Sequence, residues 1–278
     1  MLTYIVSELS PEIFSIGAFS LRWYSLSFVF TFFFGFVIMS FIYSLENKNI
    51  DDVYMLGVYV LIGTVVGARL GHCLFYEPEY YLLHPIEILK IWRGGLASHG
   101  GAIGILTAIW LFTEKKRIYS FLWTVDRVVI VVALGGLFIR LGNFFNSEIY
   151  GLPTDVPWAV VFARRDDLPR HPTQIYEALT YFSIFILLFK IYFRKIKANC
   201  LPKDGFLFGL FLVLVFASRF MWEFLKEVQS DFEHNLLLDM GQILSIPFII
   251  LGIVMIIYSQ VHSPKTITKI TTNNSKKR

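Results

Sequence analysis

Seven apolar runs, most of them near the roughly 20 residues that cross about 30 Å of hydrocarbon, leave this chain few ways to fold. They cover residues 23–45, 53–76, 97–113, 125–139, 174–193, 205–225 and 240–260. Inside lipid each backbone N–H and C=O must be satisfied within its own segment, so runs of this length fold as helices. The expected architecture is an all-α polytopic membrane protein with seven transmembrane helices. Residues 1–262 form one integral-membrane domain, in which the loop at about 141–173 makes a small extracytoplasmic cap. Residues 263–278 read as a basic, solvated and disordered cytoplasmic tail with a weak attraction to anionic lipid. Residues 1–22, with Pro11, Gly17 and alternating apolar positions, read as a short segment at the membrane surface. The fourth run is short and holds Gly135-Gly136, which predicts a helix that is tilted, broken or only partly spanning.

Hydrophobic residues make up 55% of the chain and charged residues 17%, which excludes an ordinary soluble domain. The net charge of +4 comes from residues scattered between apolar runs, so no nucleic-acid surface is expected. Cys73 lies in an apolar run and Cys200 in a basic loop; they read as two unpaired thiols, and no residue spacing suggests a metal. The first long run begins near Trp23 with no basic segment before it and no small-residue cleavage site after it. It reads as a retained anchor rather than a signal peptide.

Loop charges orient the chain. Lys48; Lys115, Lys116 and Arg117; Arg194, Lys195, Lys197 and Lys203; and the lysines of the tail fall on one side. Fewer basic residues fall on the other, three of them (Arg164, Arg165 and Arg170) in the fourth loop. The positive-inside rule places the N terminus outside and the C terminus in the cytoplasm.

Charges inside or at the ends of such runs mark a site, because burying them in lipid is costly. Measured at 1.5 Å per residue from the cytoplasmic ends, Arg140, Arg219 and His99 lie roughly 21–22 Å deep and Arg69 about 25 Å deep. Four polar groups on four runs therefore reach a similar level in the outer leaflet. Arg140 opens the stretch Arg140-Leu141-Gly142-Asn143-Phe144-Phe145-Asn146-Ser147-Glu148-Ile149-Tyr150-Gly151. If the helix continues past Arg140, Asn143 and Asn146 follow near its face and offer amide donors. Arg219 and Glu223 stand i,i+4 and can pair, as a structural ion pair or with Glu223 orienting a guanidinium that faces a phosphate. His99 sits between two glycine pairs, Gly94-Gly95 and Gly100-Gly101, and reads either as a packing residue in a close crossing or as a general base. Arg69 has a structural and an anion-binding reading. Pro172 in His171-Pro172-Thr173-Gln174-Ile175-Tyr176-Glu177 suits a helix start, and Tyr24 lies at the outer interface. Gln242 and Ser245 are placed to hydrogen-bond between helices.

At these residues the chain resembles the prolipoprotein diacylglyceryl transferases of bacterial inner membranes. The likeness covers roughly residues 14–258, with the stretch from Arg140 to Gly151 as the family signature. The segments 94–104, 171–177, 219–223 and 241–247 add further matches in the family's order. Ile139 and Ser147 stand where glycine is usual, and Lys226 where arginine is common. The resemblance implies transfer of the diacylglyceryl group of phosphatidylglycerol to the lipobox cysteine of a prolipoprotein signal peptide, with release of glycerol phosphate. It implies seven spans and no metal or organic cofactor.

A thiol is mostly protonated at neutral pH, so its attack on carbon calls for a base or a cationic neighbour. The reading that follows assigns catalytic roles to His99, Arg140, Arg219 and Glu223. His99 accepts the thiol proton, and Arg140 and Arg219 hold the phosphodiester and stabilise charge as glycerol phosphate leaves. Arg140, Asn143, Asn146, Glu148, Gly151, Tyr24 and Arg69 form the lipid-binding set. If an arginine-bound phosphate oxygen takes the proton instead, His99 is structural and His99→Gln keeps turnover. The alternative class is a transporter of an anionic or lipid substrate, which would normally show repeated halves. An intramembrane protease would need a Ser/His pair or two aspartates within spans, and adjacent Ser98-His99 does not supply it.

Overall fold

The computed structural model describes residues 4–17, 19–198, 200–227 and 238–262; the tail at 263–278 lies outside the described residues. Seven long helices are present among them. In chain order the helices are α1 (Trp23–Leu45), α2 (Asp51–Phe75), the short α3 (Pro78–Leu83), α4 (Ser98–Lys116), α5 (Phe121–Phe145), α6 (Thr173–Lys197), α7 (Phe206–Glu223) and α8 (Met240–His262). Six of them (α1, α2, α5, α6, α7 and α8) are long and apolar enough to cross a membrane. α4 has 19 residues and falls outside that group. Its apolar centre is bounded by Ser98-His99 and by Glu114-Lys115-Lys116, which lower its hydropathy. Charges suit the helix ends: Asp51 and Asp52 open α2, and Arg194, Lys195 and Lys197 close α6, each opposite in sign to the local dipole.

α5 differs from the sequence expectation. It is one helix of 25 residues, unbroken at Gly135-Gly136, and long and apolar enough to cross a membrane. Those glycines serve packing: a Cβ on Gly135 would stand 2.7 Å from Thr31 Cγ2, and one on Gly136 2.5 Å from the Tyr181 ring. They admit neighbouring side chains rather than bend the backbone.

The chain forms two compact units, residues 36–127 and the remainder. In the 36–127 unit α2 and α4 cross at backbone distance. Gly63, Gly67 and Gly71, spaced by four, form one stripe on α2. Gly100, Gly104 and Ala108 form the matching stripe on α4. A Cβ on Gly63 would stand 2.5 Å from the Gly104 carbonyl oxygen, and one on Gly71 2.7 Å from Gly100 Cα. Without a hydrophobic drive between helices in lipid, close approach of small residues supplies the attraction. In the other unit, Gly209 of α7 and Gly252 of α8 make a second such crossing.

The all-α expectation also missed short strands in residues 4–22 and in the loop between α5 and α6. β1 (Ile5–Ser7) runs parallel to β4 (Val160–Phe162), and β4 pairs antiparallel with β5 (Pro169–Arg170). β2 (Glu12–Ile16) and β3 (Phe19–Arg22) form an antiparallel pair. The segment 4–22, read as lying at the membrane surface, supplies three of these strands, each of three to five residues.

Arg170 anchors the loop. Its Nε and Nη2 donate to Asp166 at 3.0 and 2.6 Å, its Nη1 to the Gly151 carbonyl at 3.3 Å, and its plane covers Tyr150. Hydrogen bonds from Arg170 hold the Asp166 carboxyl below its ordinary value. A carboxyl with a depressed folded pKa adds stability above its unfolded value of about 3.9, and that stability is lost as pH falls through the folded pKa. Amide exchange at Val160–Phe162 is therefore expected to accelerate as the pH is lowered from 6 toward 3, after correction for intrinsic rates. Asp166→Asn should abolish that acceleration and give the fast rate throughout.

Candidate active site

Because α5 continues to Phe145, Arg140 and Asn143 lie one turn apart on it. Arg140 Nη1 donates to Asn143 Oδ1 at 3.1 Å. Its Nε stands 2.9 Å from Glu177 Oε2 on α6, an ion pair without the alignment of a hydrogen bond. The other oxygen of Glu177 lies 2.9 Å from Lys226 Nζ, and the same ammonium donates to Glu223 Oε2 at 3.1 Å. Arg140, Glu177, Lys226 and Glu223 thus alternate in sign along one chain of contacts that links α5, α6 and the end of α7. Their side chains are 12, 3, 3 and 10% exposed, so each charge relies on its neighbours rather than on solvent. Gly241, at the start of α8, lies directly on the Glu223 carboxylate, where any Cβ would collide.

The turn after α5 completes the arrangement. Gln174 Nε2 donates to the Glu148 carbonyl at 2.7 Å, Thr173 Oγ1 to the Ile149 carbonyl at 2.9 Å, and Asn146 Nδ2 to Glu148 Oε1 at 3.4 Å. Asn146 Oδ1, Gln174 Oε1 and Ser147 Oγ are buried without a hydrogen-bond partner among the described residues. Buried polar atoms left unpaired are costly and uncommon, and their concentration here marks a polar site. Gly151 accepts the closest approach in the loop: a Cβ there would stand 2.6 Å from the Leu225 carbonyl oxygen. Its N–H donates to the His171 carbonyl. Tyr24 packs against Gly142, with its Cδ2 3.0 Å from where a Cβ would be.

Ser147 and Ile149 adopt φ of +55° and +56°, a left-handed conformation that L-residues avoid and β-branched ones most of all. The unusual Ser147 thus stands where glycine would fit without strain. Ser147→Gly relieves about 1–2 kcal/mol of backbone strain and removes an unpaired hydroxyl, against about 0.5–1 kcal/mol of added chain entropy in the unfolded state. The expected net gain is about 1 kcal/mol, read as a rise of about 2–4 °C in melting temperature.

Two expectations need correction. Glu223 does not pair with Arg219; it turns to Lys226, which follows the end of α7 and reaches both acidic groups. Among the described residues Arg219, half-buried on α7, makes no hydrogen bond or ion pair. Ser245 bonds the Gly241 carbonyl of its own helix rather than a neighbour, whereas Gln242 does reach α7 at the Phe220 carbonyl. α6 begins at Thr173, directly after Pro172, so the helix start is where the sequence put it.

His99 and Arg69 belong to the 36–127 unit. His99 is exposed, stacked on Tyr76 at 5.8 Å with Phe75 edge-on at 5.5 Å. Arg69 is buried and donates to four loop carbonyls: Ile88 at 2.9 Å, Gly94 at 2.6 Å, Gly95 at 3.2 Å and Glu87 at 2.6 Å. These bonds match its structural reading: Arg69 holds the 87–95 loop, with its charge spread over carbonyl dipoles and the Tyr81 ring.

Sequence reasoning passed over Glu177, Gln174 and Lys226. Glu177 carried a readable signal, since a carboxylate at the start of an apolar run needs a cationic partner.

Comparison with known proteins adds a family. The family model described as prolipoprotein diacylglyceryl transferase matches residues 11–258. The chain is 53% identical over 249 residues to the phosphatidylglycerol–prolipoprotein diacylglyceryl transferase of Tolumonas auensis, covering 90% of this chain and 95% of that one. It is 48% identical over 257 residues to the protein of that name from Chloroherpeton thalassium, covering 92% and 95%. The Bacteroides fragilis protein of the same name is 42% identical over 274 residues, covering 92% and 96%.

Proposed function

The chain belongs to the prolipoprotein diacylglyceryl transferase family, and we propose that it carries out that family's reaction, the first step of lipoprotein lipidation. It is a transferase of a bacterial multi-pass membrane protein family. Its lipid donor is phosphatidylglycerol and its acceptor the lipobox cysteine of a prolipoprotein. The cysteine sulfur attacks the diacylglyceryl carbon bonded to the phosphate oxygen, a C–S bond forms as that C–O bond breaks, and glycerol phosphate leaves with the bonding pair.

Arg140 is the observation that carries this reading of the site. It is a buried arginine held by Asn143 and Glu177, in a set of two cations and two carboxylates that is neutral only as a whole. In that position it binds the phosphodiester and stabilises the charge that grows on the leaving phosphate. Arg219, without a protein partner among the described residues, supplies the second cation. Asn146 and Glu148 contact the glycerol head group, Gly151 gives the backbone room for it, and Tyr24 closes over Gly142. His99 accepts the thiol proton. α4 is the seventh span, the loop 146–172 is an extracytoplasmic cap, and the N terminus lies outside the inner membrane.

The test is a gel shift of a lipobox peptide incubated with purified protein and phosphatidylglycerol. Peptide bearing Cys should shift, and peptide bearing Ser should not. No shift with folded protein, across phosphatidylglycerol and other anionic phospholipids, would rule the transferase reading out.

A further inference from the structure

Among the described residues Glu177 is the one group that touches both cations of the buried charge chain. Its two carboxylate oxygens lie 2.9 Å from Arg140 Nε and 2.9 Å from Lys226 Nζ, and its side chain is 3% exposed. It is rigidly placed. Glu177 follows the start of α6 by one turn, where Thr173 and Gln174 are tied to the Ile149 and Glu148 carbonyls. The carboxylate is therefore fixed to the same turn that presents Asn146 and Glu148. Lys226 in turn is shared with Glu223, and Glu223 is pressed against Gly241. Besides Glu177, Arg140 meets Asn143 Oδ1 on its own helix and the Tyr181 hydroxyl one turn further along α6, and of these three only Glu177 carries the opposite charge.

We propose that Glu177 is a positioning residue of the transfer reaction, which aims Arg140 at the phosphodiester and uses Lys226 to lock its own carboxylate in place. The inference rests on the phosphate-binding role of Arg140. A guanidinium on a long side chain samples many rotamers, and a carboxylate at Nε fixes its plane before lipid arrives. Lys226 restrains the second carboxylate oxygen, so Glu177 cannot swing with Arg140. Displacement of a catalytic group by about 1 Å can reduce rate by about 100-fold. An ionised partner for Arg140, rather than a neutral one, is thus required for the chemistry and not only for folding.

The experiment is steady-state lipidation by the full chain, varying phosphatidylglycerol at fixed Cys peptide and then the peptide at fixed lipid. The variants are Glu177→Gln, Glu177→Asp, the charge-balanced pair Glu177→Gln with Lys226→Met, and Arg140→Ala. Tryptophan-monitored melting and gel filtration select folded protein. Glu177→Gln and the balanced pair should each lower kcat/KM for phosphatidylglycerol by about 100-fold. The KM for peptide should change less than about threefold, a split that a general loss of structure would not produce. Glu177→Asp keeps the charge but shortens the side chain, so it should recover about tenfold of that loss. If Glu177→Gln does not fold, the balanced pair and Glu177→Asp decide. Folded variants with lipid kcat/KM within about threefold of wild type, or with a peptide KM raised by as much as the lipid kcat/KM falls, overturn the proposal. Arg140→Ala separates the two readings. If it is inactive while the Glu177 variants are unaffected, only the role of Glu177 falls; if it stays active, the reading of Arg140 falls with it.

Discussion

Arg140→Ala is expected to lower lipidation by about 100- to 1,000-fold at saturating phosphatidylglycerol, the range that follows removal of one donor from a developing oxyanion. The buried position is the reason for the size of the effect. In a low-dielectric surrounding a guanidinium interacts with a phosphate more strongly than it would in water. Water entering the truncated site restores part of the charge stabilisation, without the orientation. Arg140→Lys should recover little. An ammonium is a compact point charge that cannot at once meet Glu177, Asn143 and a phosphate, as the planar fork can. The alanine variant also leaves Glu177 with Lys226 as its one cation among the described residues, so a lower melting temperature accompanies the lost activity. The measurement is the initial rate of peptide lipidation per folded enzyme. A rate within tenfold of wild type would remove Arg140 from the chemistry.

Gly104→Val is expected to cost about 3 kcal/mol or more, seen as a melting temperature lower by about 6–12 °C or as aggregation on extraction. Overpacking is usually relieved by moving a side chain. At Gly104 the atoms in the way are the backbone of Gly63 and Gly67, so the helices themselves must separate. Separation loosens the whole stripe from Gly63 to Gly71, because one crossing carries all of it. Gly57→Ala is the control, since a Cβ at Gly57, on α2 outside the stripe, meets nothing within 4 Å. It should melt at or up to about 4 °C above wild type, as Ala is about 0.5–1 kcal/mol more favourable than Gly within a helix. Equal melting of the Val and Ala variants would show that the crossing is not a determinant of stability.

The helices were legible because length and apolarity decide the matter in lipid. Trp23–Leu45 was read to the residue. α5 was read too short because Arg140 and Asn143 were treated as the end of an apolar run. Their helix persists because buried partners, Glu177 above all, make its polar last turns tolerable. The arginines of the candidate site were readable one at a time, by the expense of charge at that depth. Their pairing was not. Helical spacing nominates Glu223 for Arg219, but spacing within one helix says nothing of Lys226 beyond its end or of Glu177 on another helix. Likewise Arg69 had both a structural and an anion-binding reading, and the carbonyls it bonds become visible only with the folded 87–95 loop. Short strands in residues 4–22 escaped because three to five residues of alternation carry too little signal.

α4 is less apolar than its neighbours, and its glycine stripe lies on α2. Read as the seventh span, it has a consequence for synthesis of the protein in the cell. A segment with polar ends and a bare glycine face enters lipid weakly by itself. Delivered beside α2, it hides that face at once and leaves its bulkier side for the acyl chains. Insertion of the two is then a single event, in which the earlier helix waits for the later one. A defect in the stripe would appear during translation as failed integration, before the finished enzyme had any chance to fold.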